Sequence, residues 1–357
     1  MTEQVRISKL VHGGQAIGDL ADGRKVFVWN ALPGELVEVQ ITRKRKDYCE
    51  GIAEKIIESS PERVSPKDEA YLSTSPWQIL DFEAENKYKQ QILLETMKRE
   101  KVAYDKDIEL HADDQQWHYR NKMEYSFWAD DEGLHLALFN RGTHGKRIVL
   151  GSSIAREEID RTAHKILDLL NKNSVRGSQL KTLVLRCNQK GDTVAALFVK
   201  DDNFPKIDEF EKLAKGIQVC YSNPKSPASV MTKELYLYGD VTLTDKILGK
   251  ELYYDVHSFF QVNLPVFETA LKVMKQTIGD KKCIDFYCGV GAIGVSVGNT
   301  QTFIELDERN CYYAKKNVAQ ESQIIHVSSE QALDYIEKDS VLIVDPPRAG
   351  LHTKFID

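Results

Sequence analysis

The stretch Cys283-Ile284-Asp285-Phe286-Tyr287-Cys288-Gly289-Val290-Gly291-Ala292-Ile293-Gly294 decides the fold of the last third of the chain. Its apolar beginning predicts a buried strand, and the glycines that follow allow the backbone to turn sharply against a ligand. A helix that begins at such a turn presents its positive end to the ligand. The three glycines fit the pattern G-x-G-x-x-G, so the stretch predicts a nucleotide-type cofactor at the end of a strand.

An acidic residue at the end of the next predicted strand supports this interpretation. Glu305 follows Asp285 by twenty residues and lies in the predicted strand Thr302 to Leu306. A carboxylate at this place can accept hydrogen bonds from both hydroxyls of a ribose, so we expect an adenosine-containing cofactor. A nicotinamide dinucleotide and S-adenosylmethionine both fit, and a tight turn without any ligand is the plainer alternative.

The predicted strand Val341 to Val344 distinguishes these cofactors, because it ends in Asp345-Pro346-Pro347-Arg348-Ala349-Gly350. Two prolines after an acidic residue form a rigid, extended wall without backbone N–H groups. A dehydrogenase has no need of such a wall. Methyltransferases that act on nitrogen or carbon of planar substrates use an Asp/Asn-Pro-Pro segment here to hold the target ring beside the methyl donor. The segment therefore favours S-adenosylmethionine.

The remaining pattern divides the chain into four predicted regions. With 357 residues, of which 42% are hydrophobic and 29% charged, the chain can form two or three cores. Turn signals between short alternating stretches predict a small closed β-barrel, and the last region alternates helix and strand as a parallel, doubly wound sheet does. The regions are a barrel (1–60), a linker with a helix that packs on the last domain (61–100), a mixed α/β domain (101–251) and the cofactor domain (252–357).

Composition excludes several classes of protein. No apolar run approaches the roughly 20 residues that span a bilayer, and the N-terminus lacks the apolar segment of a signal peptide, so we expect a cytoplasmic protein without membrane contact. Six cysteines without a C-x-x-C pair suggest neither a zinc ribbon nor a disulfide framework. The net charge of −6 is unlike that of a typical nucleic-acid binder, so local patches must decide that question.

The densest basic run lies in the predicted barrel. Arg43, Lys44, Arg45 and Lys46 end one strand just before Tyr48. Small barrels of this kind often bind oligonucleotides, with cations on phosphate and a ring stacked on a base. The run predicts an RNA contact, and a solvated turn is the alternative.

Five motifs together resemble the RNA 5-methyluridine methyltransferase family, in particular its branch with an N-terminal TRAM domain. They lie in the family's order along the whole chain: Ser-Thr-Ser-Pro-Trp-Gln (73–78), Tyr-Arg-Asn-Lys-Met-Glu-Tyr-Ser-Phe (119–127), Ser-Phe-Phe-Gln-Val-Asn (258–263), Asp-Phe-Tyr-Cys-Gly-Val-Gly (285–291) and Asp-Pro-Pro-Arg-Ala-Gly (345–350). The resemblance implies an OB-like TRAM barrel, a central α/β RNA-binding domain and an incomplete Rossmann-like domain that binds S-adenosylmethionine.

The resemblance also implies an activity and a set of residues. The activity is methylation of carbon 5 of a uridine in structured RNA, in 23S ribosomal RNA rather than tRNA because the barrel resembles the ribosomal branch, by a monomeric enzyme. The implied cofactor contacts are Gln261, Tyr287, Glu305 and Asp345. The implied RNA contacts, beside the barrel run, are Arg120, Asn121, Lys122 and Arg141, for which exposed strand cations are the alternative.

Two departures from the family pattern lead to further expectations. Residues 65–75 contain no cysteine, so we expect no iron-sulfur cluster. The family attacks carbon 6 of uracil with a cysteine thiolate from a Ser-Cys-Asn-Pro segment and later uses a general-base Glu; both are expected beyond Asp357. Cys187, in Arg-Cys-Asn-Gln, is interpreted as a strand cysteine without a catalytic role. The chain as given is therefore expected to be inactive, and the alternatives are an RNA-binding fragment or homologue and, more remotely, an NAD-dependent oxidoreductase.

Overall fold

The computed structural model describes residues 2–104, 108–141 and 145–356. The chain forms two units: one comprises Met1–Gln116 and Ser126–Ile154, and the other comprises Trp117–Tyr125 and Ala155–Asp357. The hairpin within Ser126–Ile154 thus belongs to the first unit, and residues 155–251 belong to the second.

A closed five-stranded barrel begins the first unit, as the turn signals predict. Its strands, in the order β1-β2-β3-β5-β4, are β1 (Thr2–Leu10), β2 (Ala16–Asp19), β3 (Lys25–Trp29), β4 (Leu36–Lys44) and β5 (Tyr48–Glu58). Alternate residues such as Val26, Val28, Val37 and Val39 are fully buried. The period of two along each strand therefore fills the barrel interior and leaves the polar residues outside.

A buried carboxylate ties the linker to this barrel. Glu35 is fully buried and accepts hydrogen bonds from Arg63 Nε at 2.6 Å and Nη2 at 2.8 Å. It also accepts from the backbone N–H groups of Leu32 at 2.8 Å and Ser60 at 3.1 Å. Since a buried charge is tolerated only with such partners, Glu35 and Arg63 fix the chain as it leaves the barrel.

Two helices follow, α1 (Tyr71–Thr74) and α2 (Phe82–Arg99). The side chains of Ala84, Tyr88 and Ile92 pack with the barrel core, and they recur every four residues on one face of α2. The helix thus packs on the barrel, while its predicted packing on the cofactor domain stays a prediction. The rest of the unit is an antiparallel hairpin of β7 (Gly133–Phe139) with β8 (Lys146–Ile148) and the end of β6 (Lys122–Asp130).

The second unit contains the α/β elements of the predicted central domain. They are α3 (Glu157–Lys172), β9 (Leu180–Cys187), β10 (Thr193–Val199), β11 (Gly216–Tyr221) and β12 (Lys233–Gly239). Strand β10 pairs antiparallel with β9 and parallel with β11, and β12 closes that side antiparallel to β11. The hairpin β13 (Thr242–Ile247) and β14 (Lys250–Asp255) then leads into the last region.

The last region is a parallel sheet with helices between its strands, as predicted. It contains α4 (Leu264–Ile278), β15 (Cys283–Phe286), α5 (Ala292–Val297), β16 (Thr300–Glu305), α6 (Glu308–Asn317), β17 (Gln323–His326), β18 (Val341–Val344) and α7 (Thr353–Ile356). The strand order is β17-β16-β15-β18, with every pair parallel. Single 3-10 turns lie at Pro76–Ile79, Gly177–Gln179, Asp208–Lys212, Ser329–Gln331 and Leu333–Tyr335. Among the helices of the described ranges, none has the length and apolar character that crossing a membrane requires.

Candidate functional site

The carboxyl ends of three adjacent parallel strands bring together three of the predicted cofactor residues. Phe286 of β15 pairs with Ile304 of β16 and with Val344 of β18. The residues that follow each of these, Tyr287, Glu305 and Asp345, therefore lie along one edge of the sheet. Ligands of open α/β sheets bind at this edge.

The glycine loop between β15 and α5 has a backbone that requires its sequence. Gly289 and Gly291 have φ of +56° and +83°, values at which L side chains are strained. A Cβ at Gly289 would meet nothing within 4 Å, so this side of the loop faces open space. Tyr287 also has a positive φ, +59°, a strained conformation for a residue with a side chain.

Glu305 is held against this loop. Its Oε2 accepts a hydrogen bond from the backbone N–H of Gly289 at 2.8 Å. Its Oε1 accepts from the N–H groups of Leu306 at 2.9 Å and Asp307 at 2.8 Å. An ionised carboxylate offers about four acceptor positions, so one remains, and pairing with both hydroxyls of a ribose would replace one of these backbone bonds.

Beneath the loop lies a second carboxyl group, that of Asp285. The residue is 1% exposed; its Oδ2 accepts from Gly294 N at 2.9 Å, and its Oδ1 is buried with no partner among the described residues. Burial raises the pKa of Asp285 to about 7; the charges of Asp345 and Glu305 add to this rise and the Gly294 bond opposes it. An unpaired buried oxygen is rare in proteins, so Asp285 Oδ1 marks an unsatisfied acceptor at this place.

The fourth predicted cofactor residue, Gln261, lies in a segment that Asn121 fixes. Gln261 is half-buried, and its carbonyl oxygen accepts from Asn121 Nδ2 at 2.9 Å. The backbone N–H of Asn121 donates to the carbonyl of Val262 at 3.3 Å. Asn121 is itself 2% exposed, which corrects its predicted role as an RNA contact: its amide is used inside the protein to place the backbone around Gln261.

Sequence reasoning missed Arg186, whose guanidinium binds the backbone of the same segment. Its guanidinium, 1% exposed, donates to the carbonyl oxygens of Ser258 at 2.8 Å and Phe260 at 3.4 Å. It also lies 5.3 Å from the ring centre of Tyr254, which stacks on Phe260 at 4.1 Å. Burial lowers the pKa of Arg186 to about 10. A buried arginine in an apolar strand gives no periodic signal, so the pattern of residues 180–187 could not reveal it.

Asp255, in the turn before this segment, also fixes the backbone of the segment. Asp255, 2% exposed, accepts from Ser258 N at 2.8 Å and His257 N at 2.9 Å, and pairs with Arg309 Nη1 of α6 at 2.6 Å. Ser258 and Phe260 are each 2% exposed, whereas Phe259 between them is 64% exposed. The segment is thus held by several hydrogen bonds, and it presents one aromatic ring to solvent.

The predicted RNA contacts fall in both units. In the first, Arg43, Lys44 and Arg45 are exposed at the end of β4 and in the turn to β5, and Arg43 lies 3.8 Å from Glu50. Tyr48 packs edge-on against Phe27 with ring centres 5.5 Å apart. The side of the ring pair where the two rings meet is therefore not available to a base.

Arg141, also in the first unit, is only half-buried. It donates through Nε to the carbonyl of Leu72 at 2.8 Å, and its guanidinium lies 4.8 Å from the ring centre of Trp29. Burial lowers its pKa.

In the second unit, Arg120 and Lys122 flank the buried Asn121 and are half-buried. Arg120 Nε donates to the carbonyl of Lys122 at 3.0 Å. Burial, with the nearby charge of Arg186, lowers the pKa of Lys122 to about 8, while Glu124 and Asp255 oppose the shift. The structure thus places Lys122 in the same region as Arg186 and the backbone that carries Gln261.

Cysteine chemistry has no exposed thiol to use. All six cysteines are free and buried. Burial raises the pKa of Cys187 to about 12 and that of Cys288, in the glycine loop, well above its ordinary value. Across residues 2–104, 108–141 and 145–356 no three His, Cys, Asp or Glu side chains are grouped so as to hold a metal ion.

Comparisons with known proteins agree with this geometry. The family model of the tRNA (uracil-5-)-methyltransferases matches residues 81–357, and the TRAM domain model matches residues 2–53. A protein of Fusobacterium nucleatum named as an uncharacterized RNA methyltransferase is 24% identical over 389 residues, which cover 99% of this chain and 83% of that protein. A protein of Enterococcus faecalis with the same name is 28% identical, over 99% of this chain and 84% of that one.

One solved structure shares the fold over nearly the whole chain. The tRNA (uracil-54, C5)-methyltransferase of Pyrococcus abyssi, in complex with S-adenosyl-L-homocysteine, matches with a TM-score of 0.76 and 18% identity, over 99% of this chain and 86% of that one. The likeness confirms the predicted fold, a β-barrel followed by α/β elements and a Rossmann-like domain.

Proposed function

The chain belongs to the tRNA (uracil-5-)-methyltransferase family, as its motifs predict, and from that premise we propose that it uses S-adenosylmethionine to methylate carbon 5 of a uridine in structured RNA. The observation that carries the proposal is the fixed carboxylate of Glu305 on the glycine loop, at the same sheet edge as Tyr287 and Asp345. Family membership also disfavours the nicotinamide oxidoreductase alternative.

The residues at this edge fit the cofactor. Glu305 has the charge and position to accept ribose hydroxyls, and the open side of Gly289 leaves space for a nucleoside. The Oδ1 of Asp285 is an acceptor without a donor among the described residues. Gln261 offers an amide on a segment that Asn121 and Arg186 hold in place. When bound, S-adenosylmethionine supplies an electrophilic methyl group on sulfur.

The target base must be bordered at its edge and stacked on its face, and the chain has residues for both contacts. The exposed Asp345 begins the Pro-Pro segment directly after β18. Because prolines lack an N–H, Pro346 and Pro347 can border a planar ring without a competing backbone donor. Phe259, exposed beside the buried Phe260, can stack on a base in a single-stranded or flipped conformation.

Carbon 6 of uracil must be attacked by a thiolate in this chemistry, and the thiols of this chain are poorly suited to that role. Cys187 and Cys288 are buried and their raised pKa values keep them protonated at neutral pH. We propose that neither Cys187 nor Cys288 is the nucleophile of the methyl transfer.

For the RNA, we propose phosphate contacts by Arg43, Lys44 and Arg45 in the barrel and by Arg120 and Lys122 near Gln261. Their exposure or partial exposure supports this role, and the partly buried Arg141 contributes through its remaining edge. The resemblance of the barrel to the ribosomal branch supports 23S ribosomal RNA, a cytoplasmic substrate, while the name of the Pyrococcus abyssi neighbour refers to tRNA. The experiment therefore includes both 23S ribosomal RNA and tRNA.

The experiment combines binding with transfer. The purified chain is titrated with S-adenosylmethionine and with unmodified 23S ribosomal RNA and tRNA, then incubated with methyl-labelled cofactor, and the RNA is digested for nucleoside analysis. We expect binding of the cofactor and stronger binding of ribosomal RNA. Labelled 5-methyluridine that disappears in Cys187→Ala or Cys288→Ala would contradict the cysteine assignment. If the chain binds neither ribosomal RNA nor tRNA, the proposed function is wrong.

A further inference from the structure

The sheet face formed by β7, β8 and the end of β6 in the first unit exposes large apolar side chains. Trp128 is 45% exposed, Phe139 59%, Ile148 44% and Leu150 84%. Contiguous exposed apolar side chains mark interaction sites more often than scattered ones do. None of these residues belongs to the cofactor edge or to the predicted RNA contacts.

The strand register places these residues together. Trp128 lies opposite His135, and Phe139 lies opposite Lys146. Ile148 lies opposite Ala137, between these two rows. Directly opposed residues of antiparallel strands, and every second residue along a strand, share one face.

The same register extends past the end of β8. Val149 N donates to Leu136 O at 3.0 Å, so the pairing continues and Leu150 falls beside His135. Trp128 and Leu150 therefore flank one end of the face and Phe139 the other. We call the set Trp128, Phe139, Lys146, Ile148 and Leu150 the hairpin face.

The two aromatic rings stand at a spacing suited to more than one base. His135, opposite Trp128, and Phe139 are four residues apart on β7, which is about 13 Å at the rise of a β-strand. The exposed Ile148, opposite the buried Ala137, lies between them. Exposed aromatic side chains on an antiparallel sheet stack two or three unpaired bases in the common RNA-binding modules.

A cation lies at the Phe139 end of the face. Lys146 Nζ is 5.0 Å from the ring centre of Phe139 and donates to the carbonyl of Phe127 at 3.0 Å. Arg147, opposite Leu138, belongs to the other face of the sheet. At the other end, the acidic Asp130 is engaged by His135 at 2.9 Å. A ring beside an ammonium group favours a stacked base with its phosphate, and lysine is depleted in protein–protein interfaces.

We propose that the hairpin face binds an unpaired segment of the substrate RNA, with bases stacked on Phe139 and Trp128 and a phosphate near Lys146. The inference rests on the proposed function, since it presumes an RNA substrate. It adds a stacking platform whose residues differ from those of the cofactor edge and of the basic run of the barrel.

The test measures the affinity of the full chain for a labelled 12-nucleotide single-stranded RNA of mixed sequence and for a duplex of the same length. Phe139→Ala and Trp128→Ala should each weaken single-strand binding about 5- to 150-fold, the range for loss of one stacked base, with little change in salt dependence. Phe139→Trp should retain binding. The matched control Tyr312→Ala removes a ring that is 54% exposed on α6 and should bind like wild type.

The outcomes separate this proposal from the proposed function. Wild-type protein that binds no RNA would contradict the function itself. If wild type binds RNA and both alanine variants, shown to be folded by circular dichroism, bind it with the same affinity, then the hairpin face does not bind RNA. The proposed function would then still stand. A Phe139→Ala variant that keeps RNA affinity but changes a dimer into a monomer in light scattering would instead assign the face to a second copy of the chain, and the RNA proposal would be wrong.

Discussion

Gly294 lies so close to Phe303 that a Cβ at position 294 would stand 2.5 Å from Cε1 of the phenylalanine ring. The same Cβ would lie 2.7 Å from Asp285 Oδ2 and 3.0 Å from Thr300 Cγ2. The third glycine of the loop is therefore required by packing of α5 on the sheet rather than by its backbone conformation.

Replacing this glycine should destabilise the cofactor domain. Gly294→Ala forces a methyl group against a buried ring, and we expect a loss of about 1 to 3 kcal/mol in the free energy of unfolding, measured by denaturant titration. Ser296→Ala in the same helix is the control: its buried hydroxyl has no partner among the described residues, so stability should change little. Equal stability of Gly294→Ala and wild type would show that α5 can move away from β16.

Arg186 should act on the cofactor through the segment that carries Gln261. Arg186→Met keeps much of the side-chain volume but leaves the carbonyls of Ser258 and Phe260 without their donor, at a cost of about 1 to 3 kcal/mol for each. We expect faster hydrogen exchange in residues 256–263 and about tenfold weaker S-adenosylmethionine binding, a cost of about 1.4 kcal/mol.

The control for that variant is Arg156→Met, which removes a half-buried arginine paired with Glu158 in the same unit. It should leave exchange in residues 256–263 unchanged. If Arg186→Met melts like wild type and shows neither faster exchange nor weaker cofactor binding, then Arg186 is not a positioning residue.

RNA affinity should fall as pH rises through about 8. Lys122 holds its proton below its lowered pKa of about 8 and loses it above, and only the charged ammonium attracts phosphate. Between pH 7 and 9, wild-type RNA binding at fixed salt should weaken, whereas Lys122→Arg should be nearly flat because arginine stays charged. Lys122→Met should be weak and flat. A wild-type profile that matches Lys122→Met at every pH would exclude Lys122 from the RNA contacts.

The basic end of β4 should control the salt dependence of RNA binding. Each cation that neutralises a phosphate contributes about 0.7 to 0.9 to the slope of log K against log salt concentration. The triple variant Arg43→Ala, Lys44→Ala, Arg45→Ala should therefore bind more weakly and with a smaller slope. Lys206→Ala, which removes an exposed lysine paired with Asp208, is the control. An unchanged slope in the triple variant would mean that the run is a solvated turn.

The sequence predicted the elements of this fold well where periodicity or turn chemistry was strong. The predicted strand Val341 to Val344 is confirmed residue for residue, and the barrel and the loop from Cys283 to Gly294 are observed as expected. The packing of α2 on the barrel was not predicted, because the stripe of Ala84, Tyr88 and Ile92 shows that a helix is amphipathic but not which core it faces.

The sequence predicted the motif residues of the candidate site. It did not predict the buried residues that hold the backbone of the site in place. Glu305 is the last residue of β16 and Asp345 directly follows β18, positions that sequence spacing shows. Asn121 looked like an RNA contact because it lies between two cations, whereas its amide is buried under the backbone of Gln261. Arg186 gave no signal at all, since a buried charge satisfied by backbone carbonyls depends on contacts between residues more than seventy positions apart.

The central claim, an S-adenosylmethionine site built around Glu305, is tested most directly by calorimetric titration of the purified chain with S-adenosylmethionine and with NAD. We expect one molecule of S-adenosylmethionine to bind per chain and no binding of NAD. Glu305→Ala should weaken binding by about 1 to 3 kcal/mol through loss of charge-assisted bonds, while Glu308→Ala, an exposed acid in the next helix, should not. Tight binding of NAD without S-adenosylmethionine, or equal affinity in Glu305→Ala and wild type, would contradict the account.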